Sequence, residues 1–218
     1  MSREARIAGA FSGLPAAGST ASDQLAQQLA IRHWAALGSF LPVERSVALR
    51  REAETLQDEG RFTKAGVGRE GLERHEVRGD RILWLENGNA PQAERCVQHE
   101  LEALRYAINA FTYLGLYEFE GHYACYPAGA RYARHLDRFQ DGGERVVSLV
   151  LYLNEAWTTE DGGELCLYPA GMEEGVKIQP QAGTLVCFLS EQVPHEVLPS
   201  RRARLSLTGW YKRRARAF

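Results

Sequence analysis

Four side chains in the second half of the chain have the types and spacing to hold a metal and an anion side by side. They are His135 and Asp137 in CYPAGARYARHLD, His195 in VPHEV, and Arg204 in ARLSLTGW. On a β-strand, residues two apart project to the same face. An H-x-D placed there aims an imidazole and a carboxylate at one point. One distant histidine completes a 2-His-1-carboxylate facial triad, the ligand set of non-heme iron(II) sites that keep coordination positions open for a co-substrate and oxygen. The tripeptide alone is a weak signal; the ordered residues around it make it specific.

These groups need strands to carry them, and from Tyr117 onward the chain supplies short strand-like runs. YEFEGHYACYP, ARYARHLD, RVVSLVLYLNE, GELCLYP, GVKIQP, GTLVCFL, HEVLP and ARLSLTGWYK are separated by Gly- and Pro-containing turns. About eight strands at this spacing argue for a jelly roll around a cavity. Alternation places Val146, Ser148, Val150 and Tyr152 on one face. It also sets Arg204, Ser206, Thr208 and Trp210 opposite Leu205 and Leu207. If the leucines enter an apolar layer, Arg204 faces a cavity and needs an anionic partner. That partner is either a dicarboxylate such as 2-oxoglutarate or an ordinary Asp or Glu; spacing does not choose.

The first half reads as helical support. A helix starts near Ser22, with Leu25 and Leu29 on one side, and WAALGSFL (34–41) is a strand or extended turn. A second helix has Pro42 in its first turn, Gly60 at its end, and Leu49, Ala53 and Leu56 as its stripe. A third has Asn89 as cap and Pro91 in its first turn, with Val97, Leu101, Leu104, Ile108 and Phe111 on one face and His99 exposed. Between them, 61–80 holds glycines at 66, 68, 71 and 79 and little apolar periodicity, which is uncommon for a structural loop and frequent in functional ones. RILWL (81–85) returns to strand. The expected architecture is α+β: a loose tail over 1–20, then one domain over 21–218, with helices (21–112) packed outside one sheet of a double-stranded β-helix (113–213).

A chain of 218 residues with 44% hydrophobic and 25% charged residues suits one well-buried core. A net charge of −2 gives no electrostatic case for nucleic acid, and the basic end YKRRARAF reads as a solvated tail. Cys96, Cys125, Cys166 and Cys187 match no zinc spacing and read as reduced core residues. His122 reads as a satisfied structural histidine, although it shares a strand face with Tyr126. With no leader and no long apolar run, the expectation is a cytoplasmic monomer without membrane contact.

The ordered set from Y-P and H-x-D through Y-L-N, G-G-E-L and H-E-V to R-x-S-x-T-x-W closely resembles the iron- and 2-oxoglutarate-dependent prolyl hydroxylases of the oxygen-sensing type, in particular their bacterial branch. The resemblance covers roughly 35–213. It implies that His135, Asp137 and His195 bind Fe(II), and that Arg204 and Tyr152 hold the far carboxylate of 2-oxoglutarate. Tyr126 and Thr208 would line the co-substrate site. Arg78 and Asp80 would close a lid over 61–80 onto a proline-containing protein, with Arg145 and Trp210 at the substrate side. It further implies O2 as reactant, ascorbate as accessory, succinate and CO2 as products, and a translation elongation factor as first candidate substrate. From Tyr126 to His135 the chain is one residue shorter than the animal oxygen sensors. Nucleic-acid demethylases of the same superfamily carry a second arginine where this chain has Trp210. A halogenase would lack the carboxylate at 137, and a non-catalytic sensor module would lack a ligand.

Overall fold

The structure, a computed structural model, describes residues 19–66, 78–85, 91–137 and 144–214. Most of the expected tail, the central part of the 61–80 loop and Asn89 therefore lie outside the described residues. Helix α1 (Ala21–Arg32) begins with a capping box. The Thr20 hydroxyl accepts from the Asp23 amide at 3.1 Å, and the Asp23 carboxylate accepts from the Thr20 amide at 3.0 Å. Thr20 thus belongs to the helix start. Leu25, Ala26 and Leu29 are buried along one side.

Helices α2 (Val43–Asp58) and α3 (Gln92–Thr112) each follow a proline at the N-cap position, one residue earlier than expected for Pro42 and Pro91. Proline has no hydroxyl or carboxylate with which to cap. For α3 the acceptor comes from α2: Glu52 takes the amides of Ala93 and Glu94 at 3.2 Å each. The predicted α3 stripe holds through Ile108, but Phe111 is 40% exposed. It lies at the edge of the stripe in the last turn. Cys96 is also exposed, unlike the other three cysteines, because it sits off that stripe.

Among the described residues, eleven strands form two antiparallel sheets. The larger runs β1 (Trp34–Leu37), β9 (Leu185–Leu189), β6 (Arg145–Tyr152), β11 (Arg204–Arg213), β4 (Leu116–Tyr126), β3 (Arg81–Trp84), β2 (Thr63–Lys64). The smaller runs β5 (Tyr132–His135), β10 (His195–Val197), β7 (Leu165–Leu167), β8 (Val176–Ile178). Strand alternation divides the apolar residues into two layers. Tyr123, Cys125, Leu149, Leu151, Leu205 and Leu207 face the helices, where they meet Leu25, Leu49, Leu104 and Ile108. Ala124, Tyr126, Val150, Tyr152 and Phe188 face the smaller sheet and meet Leu165, Leu167 and Val197. This is the jelly-roll sandwich with helices on one sheet, and the site lies between its sheets.

Asn154 of the Y-L-N run fastens the end of β6 to the start of β11. It is fully buried. Its amide donates to the carbonyls of Pro180 (2.8 Å) and Leu205 (3.0 Å), and its carbonyl accepts from the Leu205 amide (2.8 Å) and Arg50 (3.1 Å). Truncation strands buried backbone groups one residue from Arg204. Asn154→Ala should therefore cost about 3 kcal/mol, read as a lower urea midpoint; an unchanged midpoint would show that water replaces the amide.

Candidate active site

The triad is assembled by strand register. In the antiparallel pair β5–β10, His135 and His195 are directly opposite. Asp137 follows just beyond β5, and its amide donates to the carbonyl of Ser190 at 3.2 Å. The ligand atoms of His135, Asp137 and His195 all lie within 4.8 Å of one another. Each imidazole has its Nδ1 against a backbone carbonyl, Ala133 at 2.8 Å and Val193 at 3.2 Å. Those carbonyls accept only if Nδ1 carries the proton, which leaves each Nε2 lone pair for a metal. The two Nε2 atoms are 3.3 Å (His135) and 3.6 Å (His195) from one oxygen, Asp137 Oδ1.

The other oxygen of Asp137 is held. Oδ2 accepts from the Ser148 hydroxyl at 2.6 Å and from the Trp210 indole at 2.9 Å. Burial alone would raise the carboxyl pKa, but the two imidazoles outweigh it and hold the group well below the usual carboxylate range. The carboxylate is thus the one anionic donor beside two imidazole nitrogens, a set that fits a divalent ion. Ser148 leans in turn on Ser190 at 2.9 Å. Aromatic rings brace the imidazoles: Tyr132 stacks on His135 at 3.6 Å, and Phe188 lies 4.5 Å from His195.

Arg204 opens β11 opposite Tyr126 and lines the same pocket as the triad. It is 1% exposed, and none of its three guanidinium nitrogens has a hydrogen-bond partner among the described residues. It lies instead over the rings of Tyr152 (4.9 Å) and Tyr126 (5.1 Å). The Tyr152 hydroxyl is equally buried and unpartnered, and burial raises its pKa, so it remains a donor. A buried unpaired cation is costly. Four donors converging without an acceptor fit the far carboxylate of a dicarboxylate whose other end reaches a metal.

The comparisons with known proteins agree with this chemistry. Residues 121–212 match the model of the 2OG-Fe(II) oxygenase superfamily. The chain is 43% identical to a Pseudomonas putida prolyl-4-hydroxylase structure, covering 89% of this chain and all of that one, with a TM-score of 0.82. The chain belongs to the iron(II)- and 2-oxoglutarate-dependent prolyl hydroxylases. It is also 28% identical, over 88% of each chain and with a TM-score of 0.81, to a Trichoplax adhaerens prolyl hydroxylase in complex with a hypoxia inducible factor peptide fragment. It shares 34% identity over 182 residues with Egl nine homolog 1 of Homo sapiens, covering 79% of this chain and 42% of that one. It spans about half the length of the curated relatives it matches. Iron(II) and 2-oxoglutarate are the cofactor and co-substrate of this hydroxylase family, and the triad is the donor set the iron requires.

The remaining expected residues stand around the same pocket, which Arg78, Asp80, Tyr126, Thr208 and Trp210 line. Arg78 and Asp80 are paired to each other, at 2.6 and 2.9 Å, with the Asp80 side chain fully buried. Arg78 also lies 4.9 Å from the Tyr132 ring. Arg145 lies 3.5 Å over the Trp210 ring and bonds Glu120 at 3.0 Å. The Thr208 hydroxyl sits 3.2 Å from that of Ser206.

Three site residues carry roles that sequence reasoning did not assign. Alternation sets Ser148 on the same face as Tyr152 but names no partner for it, and Tyr132 gives no signal beyond lying three residues before His135. The third, His122, corrects an expectation. It is 1% exposed, lines the pocket, and has no hydrogen-bond partner on either ring nitrogen among the described residues. Burial, with Arg78 and Arg145 nearby, lowers its pKa to about 3, so it is neutral at physiological pH.

Because Ser148 fixes the oxygen of Asp137 that faces away from the histidines, Ser148→Ala should weaken iron(II) affinity by about tenfold, the lower end for lost outer contacts of metal ligands. Competition with a chromogenic chelator under anaerobic conditions measures it. Unaltered affinity would mean that the Trp210 indole alone suffices.

Proposed function

We propose that this protein couples oxidative decarboxylation of 2-oxoglutarate to hydroxylation of a prolyl residue in a polypeptide, releasing succinate and CO2. One observation carries the reading: the pocket has a three-ligand metal set along one part and, along another, Arg204, whose guanidinium, like the hydroxyl of the adjacent Tyr152, has no hydrogen-bond partner among the described residues. In this reading His135, Asp137 and His195 hold the iron and keep its remaining positions open. Arg204 and the Tyr152 hydroxyl hold the far carboxylate of the co-substrate, with Tyr126 and Thr208 lining its course. When bound, iron with 2-oxoglutarate supplies the oxidising power for attack on an unactivated C–H bond. The chain's own part is to orient the reactants and exclude water.

A polypeptide substrate suits the mouth of the site. Trp84 is 43% exposed and continues inward to His122 and Trp210, with ring centroids 4.8 Å (Trp84–His122) and 5.5 Å (His122–Trp210) apart. Such an aromatic wall matches a proline ring. Arg78 and Asp80, joined to each other, line the same pocket, and Arg145 sits beside Trp210. The Trichoplax relative with its bound peptide supports the same substrate class. Trp210 argues against a nucleic-acid demethylase, because its indole is committed to Asp137. The first candidate substrate is a translation elongation factor, in a cytoplasmic setting; among the described residues no helix is long and apolar enough to cross a membrane.

Mass spectrometry of host proteins with and without the enzyme tests the proposal: a +16 Da proline that depends on the enzyme supports it, and +16 Da on another residue or on a nucleobase would replace it. Arg204→Ala should raise the 2-oxoglutarate requirement by about a hundredfold, since a charge-assisted bidentate partner is lost. Tyr152→Phe should raise it by about tenfold. Initial rates of succinate release against 2-oxoglutarate concentration measure both, and an unchanged requirement in Arg204→Ala would remove Arg204 from the co-substrate site.

A further inference from the structure

Among the described residues, the unpartnered buried polar atoms of residues that line this pocket belong to Arg204 and His122, with the unpartnered Tyr152 hydroxyl on the ring next to Arg204. Arg204 and Tyr152 are accounted for by a far carboxylate; the imidazole of His122 is not. It is no fourth metal ligand, because the cluster of ligand atoms within 4.8 Å comprises His135, Asp137 and His195 alone among the described residues. Nor does it stabilise the fold through a hydrogen bond, since both ring nitrogens are orphaned in a side chain that is 1% exposed. Leaving such a group unmade is unfavourable unless a ligand completes it.

Its place narrows the choice of ligand. On β4 and β11 the inward-facing residues form cross-strand pairs: Tyr126 opposite Arg204, Ala124 opposite Ser206, and His122 opposite Thr208. His122 is therefore farther along the sheet than the carboxylate anchor, beside Trp210, whose indole bonds the metal-binding carboxylate of Asp137. On its outer side it is covered by the Trp84 ring. A polypeptide reaches such depth with a side chain only, and a prolyl ring offers carbon, not oxygen. A neutral imidazole has one N–H to donate. O2 is a weak hydrogen-bond acceptor, so the oxygens that can accept from that N–H at this depth are those of the co-substrate.

We propose that His122 is a positioning residue for bound 2-oxoglutarate, donating its ring N–H to an oxygen of the 2-oxo acid end of the co-substrate, the end that reaches toward the triad. This rests on the family reading of the site and adds to it a contact made by this chain's own residue. It gives the co-substrate polar contacts at two levels of the sheet, so that its metal-seeking end is oriented before substrate arrives.

The test uses the full chain loaded with Mn(II), without oxygen or substrate, and titrates 2-oxoglutarate by calorimetry. His122→Leu should bind it about tenfold more weakly, the effect of one buried hydrogen bond, with Mn(II) affinity unchanged. His122→Gln, which restores an N–H donor, should stay within about threefold of wild type. In the unaltered protein, the His122 ring resonance in a 15N-histidine spectrum should move when 2-oxoglutarate is added, a readout that does not depend on how the leucine variant folds. Wild-type affinity in His122→Leu, or a ring resonance that does not move, overturns the role of His122 while leaving the site intact. A wild type that fails to bind 2-oxoglutarate overturns the family reading of the pocket, and this contact with it.

Discussion

The site depends on how the carboxylate of Asp137 is divided. One oxygen faces the two imidazole Nε2 atoms, and the other is occupied by the Ser148 hydroxyl and the Trp210 indole. A free carboxylate could rotate or chelate with both oxygens and close the positions that iron must keep open. Two donors on one oxygen prevent that and fix the plane of the group. The donors come from β6 and β11 of the larger sheet, whereas Asp137, His135 and His195 come from the smaller-sheet side. The hydrogen bonds to Oδ2 thus tie the two sheets together at the metal.

The second constraint is a buried charge kept without a hydrogen-bond partner among the described residues. Arg204 would ordinarily be too costly to bury, and its neighbours reduce that cost without satisfying it. Two tyrosine faces lie near 5 Å, which suits a guanidinium. The backbone that carries it is fastened by Asn154 through both polar groups of Leu205. The large helix-facing core, with Leu205 and Leu207 on the outer side of the same strand, supplies the stability that an unsatisfied inner face forgoes. His122 is the same kind of feature on the neighbouring strand. Function here draws on folding free energy, as expected where ligand completes what the chain leaves unpaired.

The mouth shows a different economy of contacts. Arg78 and Asp80 neutralise each other in an almost closed pair, and Arg78 rests on Tyr132, which stacks on His135. Charge at the rim is in this way linked mechanically to a metal ligand. Arg145, joined to Glu120 and lying over Trp210, makes the matching link on the other side. Both ligand-bearing regions are thus braced from outside by an arginine on an aromatic ring.

Much of this was legible in the sequence by itself, because it rests on local periodicity. The two-residue repeat of β11 separated Arg204, Ser206, Thr208 and Trp210 from Leu205 and Leu207, and the H-x-D spacing put an imidazole and a carboxylate on one side. The helical stripes of Leu25 and Leu29, and of Val97 to Ile108, followed from a period of 3.6. What only the tertiary structure decided are pairings between residues far apart in the chain. The register of β5 on β10 set His135 opposite His195, and the packing of two sheets brought Ser148 and Trp210 to Asp137. The cap of α3 came from Glu52 on another helix, where a local Asn89 had been expected. His122 read as a satisfied core histidine because a period of two shows which face a side chain takes. It carries no information on whether a hydrogen-bond partner stands across the cavity, since that depends on strands brought together only by folding.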